Sequence, residues 1–312
     1  MRRRRRRGTG SETVSSDERH GHGAAEQPAR RPARVRTDED RARENRARET
    51  AEEITSRIDT TRTHTARVWN YWLGGKDHYE VDREAGDAIR RLHPGIDEYA
   101  RADRKFLGRA VARLTREAGI RQFLDVGTGL PTADNTHEVA QRLAPESRVV
   151  YVDNDPIVLA HAGALLTSAP EGRTDYLDAD LRDVDGILQR AADTLDFSRP
   201  VALVLLGVVI FIENDEESYA LVRRFLDALP PGSHLVLSHT VTTPDTAGMD
   251  AAVEFWNANG TPRLTQRTPA QIERYFDGLE LLPPGVVSCS QWPAPDPEAP
   301  EVAMYGGVGR KP

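Results

Sequence analysis

From about residue 101 onward, apolar and polar positions follow two alternating patterns. Residues 106–119 (FLGRAVARLTREAG) carry apolar side chains at helical spacing, which predicts an amphipathic helix that ends at Gly119. The next segment, QFLDV, is a short apolar run typical of a buried strand. Strand-like runs then alternate with helix-like segments as far as Thr240. This alternation predicts a doubly wound α/β fold with a parallel sheet covered on both faces.

The pattern predicts five strands with four helices between them. The strands are predicted at 122–126, 147–153, 173–180, the start of 200–212 and 233–240, and the helices at 132–143, 156–166, 184–195 and 217–229. Beyond Thr240 two helix-like segments, 248–258 and 268–276, precede two strand candidates, 279–287 and 301–309. A Pro-rich loop separates these strands, which could form an antiparallel hairpin at one sheet edge.

The first strand–turn–helix unit carries two glycines. Gly127 and Gly129 follow QFLDV and allow the backbone to bend tightly and to approach a ligand. Asp153 ends the next strand, 26 residues after Gly127, where an acid can accept hydrogen bonds from ribose hydroxyls. An alternative role for Asp153, as for Asp155, is to cap the following helix. The complete unit predicts a cofactor that contains a nucleoside.

The residues of the turn discriminate between two such cofactors. A dinucleotide fingerprint has a third glycine where this chain has Thr132, preceded by Pro131. The carboxylate of Asp125 would repel a pyrophosphate but would suit an ammonium or sulfonium group, unless it only braces the turn. S-adenosyl-L-methionine carries both cationic groups and no phosphate. The turn therefore favours this methyl donor over NAD.

Three motifs, DVGTG, YVDNDP and DAD, resemble in this order the motif series of class I S-adenosylmethionine-dependent methyltransferases. The segment around YWLGGKDHY is similar to one subfamily, the S-adenosyl methyltransferases once grouped as a domain of unknown function. The resemblance covers residues 58–312. It implies a Rossmann-like seven-stranded sheet, mostly parallel with an antiparallel last strand, an N-terminal helical arm, and bound S-adenosyl-L-methionine. It does not name the methyl acceptor.

The resemblance also implies cofactor contacts for individual residues of this domain. They are Asp125, Gly127, Thr128 and Gly129 around the methionine part, Asp153 at the ribose, Asn154, Asp180 and Leu181 at the adenine, and Gly207 at the methyl-transfer pocket. Asp180 is also compatible with an ordinary acid after a strand.

Residues 69–82 (WNYWLGGKDHYEVD) lie outside the βαβ core and are open to two interpretations. One is a lid over the cofactor, in which Tyr71, Gly75 and Lys76 contact the cofactor and either Lys76 or Arg67 pairs with the methionine carboxylate. The other is an arm whose aromatic side chains dock on the core.

We predict three parts of the chain: a disordered Arg-rich tail (1–55), an arm or lid (56–100) and the methyltransferase domain (101–312).

The sequence predicts no specific catalytic residue. The family that the chain resembles commonly has a histidine two residues before the phenylalanine of the fourth-strand motif or directly before it, whereas Ile210 directly precedes Phe211 here. His239, at a strand end, is the best candidate for a catalytic histidine, and Phe255 and Trp256 could line an acceptor pocket or pack in the core. From the family resemblance, the predicted function is methyl transfer to a small molecule. The alternative is a non-catalytic protein that binds S-adenosylmethionine or S-adenosylhomocysteine.

Charge and cysteine content narrow the possible partners. The first 50 residues hold 15 arginines against 9 acids, while the remaining residues hold 27 basic and 40 acidic side chains. The acidic body disfavours nucleic acid, and the tail is either a solvated extension or a basic arm that touches nucleic acid or a membrane. The single cysteine fits a cytoplasmic location. Neither a metal site nor a membrane span is predicted, and the oligomeric state is left open.

Overall fold

The computed structural model describes residues 56–165 and 168–312. The tail predicted for residues 1–55 lies outside the described residues. The helices are α1 (Thr65–Trp72), α2 (Glu80–Leu92), α3 (Ile96–Arg116), α4 (Thr136–Leu143), α5 (Pro156–Leu165), α6 (Val184–Ala191), α7 (Asp215–Asp227), α8 (Ala247–Asn259) and α9 (Pro269–Glu273). The strands are β1 (Gln122–Val126), β2 (Arg148–Asp153), β3 (Arg173–Asp178), β4 (Ala202–Leu206), β5 (His234–Thr240), β6 (Glu280–Leu281), β7 (Val287–Ser288) and β8 (Met304–Arg310).

The strands form one mixed sheet in the order β3-β2-β1-β4-β5-β8-β6, with β7 also paired to β8. Strands β1 to β5 are parallel to one another, whereas β8 is antiparallel to β5, β6 and β7. The predicted Rossmann-like sheet with its antiparallel last strand is confirmed. Seven strands lie along its main path and the two-residue β7 is an eighth. The predicted hairpin at one sheet edge is present as β6 and β7 against β8.

The strand order reverses between β1 and β4, which are neighbours at the centre of the sheet. Connections that leave these two strands diverge, and the divergence opens a crevice at their carboxyl ends. Both strands are almost entirely buried, as expected for a sheet that helices cover on both faces. Helix α3 buries the apolar stripe predicted from residues 106–119, and it begins ten residues earlier than that segment. Among the described helices, none is both long and apolar enough to cross a membrane.

Helix α4 begins at Thr136 and not at the predicted position 132. Asp134 has a φ of 57°, a left-handed conformation that a helix cannot include. Asn135 instead starts the helix, since the Glu138 carboxylate accepts a hydrogen bond from its backbone N–H at 2.9 Å. The segment between Gly129 and this helix is therefore an irregular loop beside the crevice.

The N-terminal arm, residues 56–100, packs over the carboxyl ends of the strands. In its first part, His64 Nδ1 lies 2.7 Å from Asp155 Oδ2, directly after β2, and Arg57 Nη1 lies 2.9 Å from Asp178 Oδ2 at the end of β3. The arm then continues as α1, α2 and the start of α3. Its two contacts with strand ends place α1 above the crevice.

Candidate functional site

A cavity of about 300 Å³ lies at the carboxyl ends of β1, β2 and β4. It contains most of the residues that the sequence singled out, which are Asp125, Gly127, Thr128, Gly129, Asp153, Asn154, Asp180, Leu181 and Gly207. Tyr71, Gly75 and Lys76 are not among the residues that line it. The fold thus brings nine of the twelve together, because parallel strands present their carboxyl ends along one edge of the sheet.

The glycine turn is held against the end of β2. Gly127 has a φ of +76°, and its N–H donates to the carbonyl of Val152 at 2.7 Å. A Cβ at this position would lie 2.3 Å from Cγ2 of Val208, so only glycine fits without movement. Gly129, with a φ of +66°, donates its N–H to Asp153 Oδ2 at 2.8 Å. The turn therefore presents bare backbone to the cavity, as close approach to a ligand requires.

The structure separates the roles that the sequence left open for the two acids after β2. Asp155 Oδ1 accepts the N–H of Ile157 at 3.0 Å, which places Asp155 at the start of α5 as its cap. Asp153 instead accepts the N–H groups of Gly129 and of Asp155, one on each oxygen. Burial raises the pKa of Asp153, and these two N–H groups offset part of the rise. Each oxygen keeps a lone pair that a ligand hydroxyl can use.

Two further carboxyl groups lie in the wall nearest to the glycine turn. Asp125 on β1 accepts the hydroxyl of Thr136 at 2.6 Å, so this acid both braces α4 and lines the cavity. Burial raises its pKa to about 6, against the lowering effect of that hydroxyl. Asp103 on α3 is also buried, and burial raises its pKa to about 6 while the Ser238 hydroxyl opposes the rise. A cationic ligand would favour the ionised form of both.

Sequence reasoning missed Asp103, which links three elements around the cavity. Its carboxyl group neighbours the Ser238 hydroxyl of β5, which lowers its pKa, and Cys289 Sγ lies 3.9 Å away. The Ser238 hydroxyl oxygen in turn accepts the N–H of Gly207 at 3.0 Å. Gly207, at the end of β4, is thereby fixed in position. The one signal in the sequence was an acid on the apolar side of an amphipathic helix, next to Ala102 and Phe106.

The positive charges in the cavity come from residues other than those predicted. Lys76 is exposed, and Arg67 is buried against Asp82, with its Nε 3.1 Å from Asp82 Oδ2. Arg104 on α3 and Arg182 after β3 line the cavity instead. With the described residues, Arg104 makes only long hydrogen bonds, the shortest at 3.3 Å to a backbone carbonyl. Its guanidinium group is therefore available to an anionic ligand group.

Within the arm, the predicted contacts and the observed cavity lining differ. The Tyr71 hydroxyl donates to Asp87 at 2.7 Å, and a Cβ on Gly75 would meet the Asn70 side chain. Both residues thus stabilise the arm itself. The arm lines the cavity with neighbouring side chains, among them His64, Trp69, Asn70 and Leu73. The arm covers the cavity, but through these residues and not through Tyr71, Gly75 and Lys76.

A second, smaller cavity of about 40 Å³ lies behind Trp69. Trp256 of α8 lines it, whereas Phe255 lies on an outer groove. His239 is not among the residues that line any of these three spaces. Its Nε2 is 2.7 Å from Nη1 of Arg267, and burial lowers its pKa to about 3. The structure therefore places His239 in a buried contact with Arg267, away from the cavity.

This chain is similar to known proteins both in sequence and in structure. Residues 51–312 match the sequence model of a family described as S-adenosyl methyltransferase. The structure resembles that of a DUF574 family protein from Streptomyces avermitilis MA-4680 (47% identity, TM-score 0.78, covering 82% of this chain and 100% of the other). It also resembles a candidate methyltransferase from Thermobifida fusca YX (40% identity, TM-score 0.75, covering 81% and 96%). Both likenesses agree with the resemblance drawn from the motifs.

One curated relative is more distant. A carboxy-S-adenosyl-L-methionine synthase from Chromohalobacter salexigens is 29% identical over 180 residues, which are 56% of this chain. The chain spans about three-fifths of the length of that relative, since the match covers 59% of it. The similarity concerns part of each protein.

Proposed function

This chain belongs to the S-adenosyl methyltransferase family, and we propose that it transfers the methyl group of S-adenosyl-L-methionine to a small-molecule acceptor in the cytoplasm. Membership rests on a match across residues 51–312, and it identifies the chain as an S-adenosylmethionine-dependent methyltransferase whose acceptor is unidentified. One observation carries the assignment of the site: nine residues implied by the motifs line one cavity at the switch point of the sheet. A buried, unpaired thiol at Cys289 supports a cytoplasmic location.

The residues of the cavity fit this cofactor in both charge and shape. Asp153 has free lone pairs for the ribose hydroxyls, and the adenine would lie among Asn154, Asp180 and Leu181. The glycine turn leaves room for close approach at Gly129, where no atom lies within 4 Å of the position a Cβ would take. The cavity therefore suits a nucleoside without phosphate.

The other half of the cavity matches the charges of a methionine group. We propose that the carboxyl groups of Asp103 and Asp125 bind the ammonium and sulfonium and that Arg104 binds the carboxylate, because all three side chains line the cavity. Neither Lys76 nor Arg67, the two cations suggested by the sequence, has this placement. We thus add Asp103 and Arg104 to the proposed cofactor residues.

When bound, the cofactor supplies an electrophilic methyl group on a sulfonium sulfur, which becomes a neutral thioether after transfer. The chain contributes alignment and exclusion of water. Trp69 lies next to Gly207, since a Cβ on this glycine would be 3.7 Å from Trp69 Cζ2, and both line the cavity. The Ser238 hydroxyl oxygen, next to Asp103, accepts the N–H of Gly207 and holds this glycine in the wall beside the reacting group. The acceptor's proton is released to solvent or to a carboxylate of this wall.

The test is a measurement of S-adenosylhomocysteine formation from S-adenosylmethionine. The full-length protein is incubated with two fractions of a cell extract, one of small molecules and one of macromolecules. We expect product with the small-molecule fraction only, and about tenfold less of it or lower with Asp153→Ala when the cofactor is limiting. Product with the macromolecular fraction alone would contradict the acceptor class. Cofactor binding without product in both fractions would favour the binding-protein alternative.

A further inference from the structure

We infer that the methyl acceptor places an uncharged hydrocarbon end in the small cavity behind Trp69. This cavity, which we name the apolar chamber, is lined mainly by Trp69, Trp72, Tyr99, Ile210, Val253 and Trp256. The inference deepens the proposed function and rests on it, because it concerns the acceptor side of the same site. It assigns the chemical class of the part of the acceptor distant from the reacting atom.

The walls of the chamber are formed mainly by aliphatic side chains and by aromatic rings. The Trp256 Nε1–H donates to the carbonyl of Pro262 at 2.8 Å, and the Trp72 Nε1–H points to the carbonyl of Gly86 at 3.4 Å. Both indole N–H groups are therefore directed toward backbone carbonyls. Among the described residues that line the chamber, no Asp, Glu, His, Lys or Arg is present. A charged group in the chamber would lose its hydration without gaining a partner.

The polar groups of the chamber are also largely bonded to each other. The Tyr99 hydroxyl lies 2.6 Å from Thr240 Oγ1, and both residues are buried. Burial raises the pKa of Tyr99 far above its usual value, so its hydroxyl remains neutral. This bonded pair is thus poorly suited to a second polar function on the acceptor.

The chamber adjoins the cofactor cavity. Thr65, Trp69 and Phe211 line both spaces. Trp69 also packs beside Gly207, where the motif resemblance places the methyl-transfer pocket. An acceptor whose nucleophilic atom lies near Gly207 therefore extends past Trp69 into the chamber. At about 40 Å³ the chamber accommodates a short hydrocarbon group, well below the roughly 150 Å³ of a cavity that binds benzene.

The four tryptophans of the chain provide the test. Trp69, Trp72 and Trp256 line the chamber, whereas Trp292 packs against Phe106 and serves as an internal control. The full chain, isotope-labelled at tryptophan and saturated with S-adenosylhomocysteine, is titrated with n-butanol while the indole N–H signals are recorded by NMR. A parallel titration uses butanediol with a hydroxyl at each end.

We expect saturable shifts of the three chamber signals with n-butanol and no shift of Trp292. Butanediol should bind about tenfold more weakly, because its far hydroxyl would be buried without a partner. Equal affinities for the two alcohols, or the absence of a saturable shift, would overturn the inference. Failure of S-adenosylhomocysteine itself to bind would overturn the proposed function, and the inference with it.

Two substitutions on α8 form a matched pair. Ala252 is buried and lines the chamber, whereas Ala258 is exposed on the same helix. Ala252→Val should weaken n-butanol binding about tenfold by filling the space, and Ala258→Val should change it by less than about twofold. If Ala252→Val does not fold, Val253→Ala enlarges the chamber and should tighten the binding of n-hexanol. An unchanged affinity in the folded chamber variants would contradict the assignment.

Discussion

The two cavities on either side of Trp69 are lined by chemically different groups. The cofactor cavity takes backbone N–H groups and carboxylates from the ends of adjacent strands, and its polar atoms are fixed by short hydrogen bonds. The apolar chamber takes hydrocarbon surfaces from the sides of α1, α3 and α8. The first is therefore specific in geometry, whereas the second is specific mainly in volume and polarity. Cofactor binding and acceptor choice can therefore vary independently of each other.

The largest expected effect is at the glycine turn, where geometry is most restrictive. In Gly127→Ala the new Cβ meets Val208 and the residue must keep a φ of +76°. We expect a loss of about 2–4 kcal/mol in the free energy of unfolding and no detectable cofactor binding. Gly129→Ala has the same strain but no atom within 4 Å of its Cβ, so it should lose only about 1–2 kcal/mol. Chemical denaturation and titration calorimetry measure both, and equal losses would contradict the account of the turn.

In the apolar chamber, the restriction is on the polarity of the side chains that line it. Ile210 is buried and lines it, at the position where the resembled family commonly has a histidine. Ile210→His should lower the free energy of unfolding by about 2–3 kcal/mol, because the imidazole would find no partner there. Ile210→Leu, which keeps volume and polarity, should cost less than about 1.5 kcal/mol. Similar denaturation midpoints for these two variants would show that the chamber accepts polar groups.

The cofactor cavity also contains carboxyl groups whose protonation state changes with pH. Asp103 and Asp125 have pKa values of about 6, so both are protonated below that pH when no ligand is bound. A cation must displace these protons, and cofactor affinity should fall between pH 7.5 and 5 by about tenfold for each carboxyl group that loses its proton on binding. The unfolded carboxyls ionise near pH 4, so the free energy of unfolding of the ligand-free protein should instead decrease as pH rises from about 4 to 6. Calorimetry and denaturation across this range check both signs.

The carboxyl groups can be tested one at a time. Asp103→Asn should remove part of the pH dependence of cofactor affinity, with release of fewer protons on binding near pH 6. Asp178→Asn, at the exposed end of β3, should leave that dependence unchanged. A pH profile identical in wild type and Asp103→Asn would contradict the placement of Asp103 beside the cationic group.

The smallest expected effect concerns the arm. His64→Ala removes the 2.7 Å contact with Asp155 and should weaken cofactor affinity about twofold to fivefold, mainly through faster dissociation. Arg57→Ala removes the more exposed pair with Asp178 and should change affinity by less than about twofold. Stopped-flow dissociation rates measure both variants. Equal rates in wild type and His64→Ala would indicate that the arm does not retain the cofactor.

The same contrast between the cavities determines what could be predicted from the sequence. Gly127, Gly129 and Asp153 lie at spacings that a βαβ unit imposes, so the cofactor side could be predicted together with the sheet. Asp103 was missed because its role depends on Ser238, 135 residues later in the chain. No spacing joins residues that meet only through packing.

The arm and the chamber illustrate the same limit. Lys76 has the charge expected of a carboxylate ligand, but the packing of α1 leaves it exposed and brings Trp69 to the cavity. The chamber residues Trp72, Tyr99 and Trp256 belong to three helices, and each is equally compatible with an ordinary core. An apolar side chain does not reveal whether it faces a neighbour or a void.

The most direct test of the central claim is isothermal titration of the purified protein with S-adenosyl-L-methionine. We predict micromolar binding, weakened tenfold or more in Asp153→Ala, about 1.4 kcal/mol or greater. Asp178→Ala, at the paired position on β3, should bind as the wild type does. No binding by the wild type, or equal binding by Asp153→Ala, would contradict the claim that the cavity at the strand ends holds this cofactor.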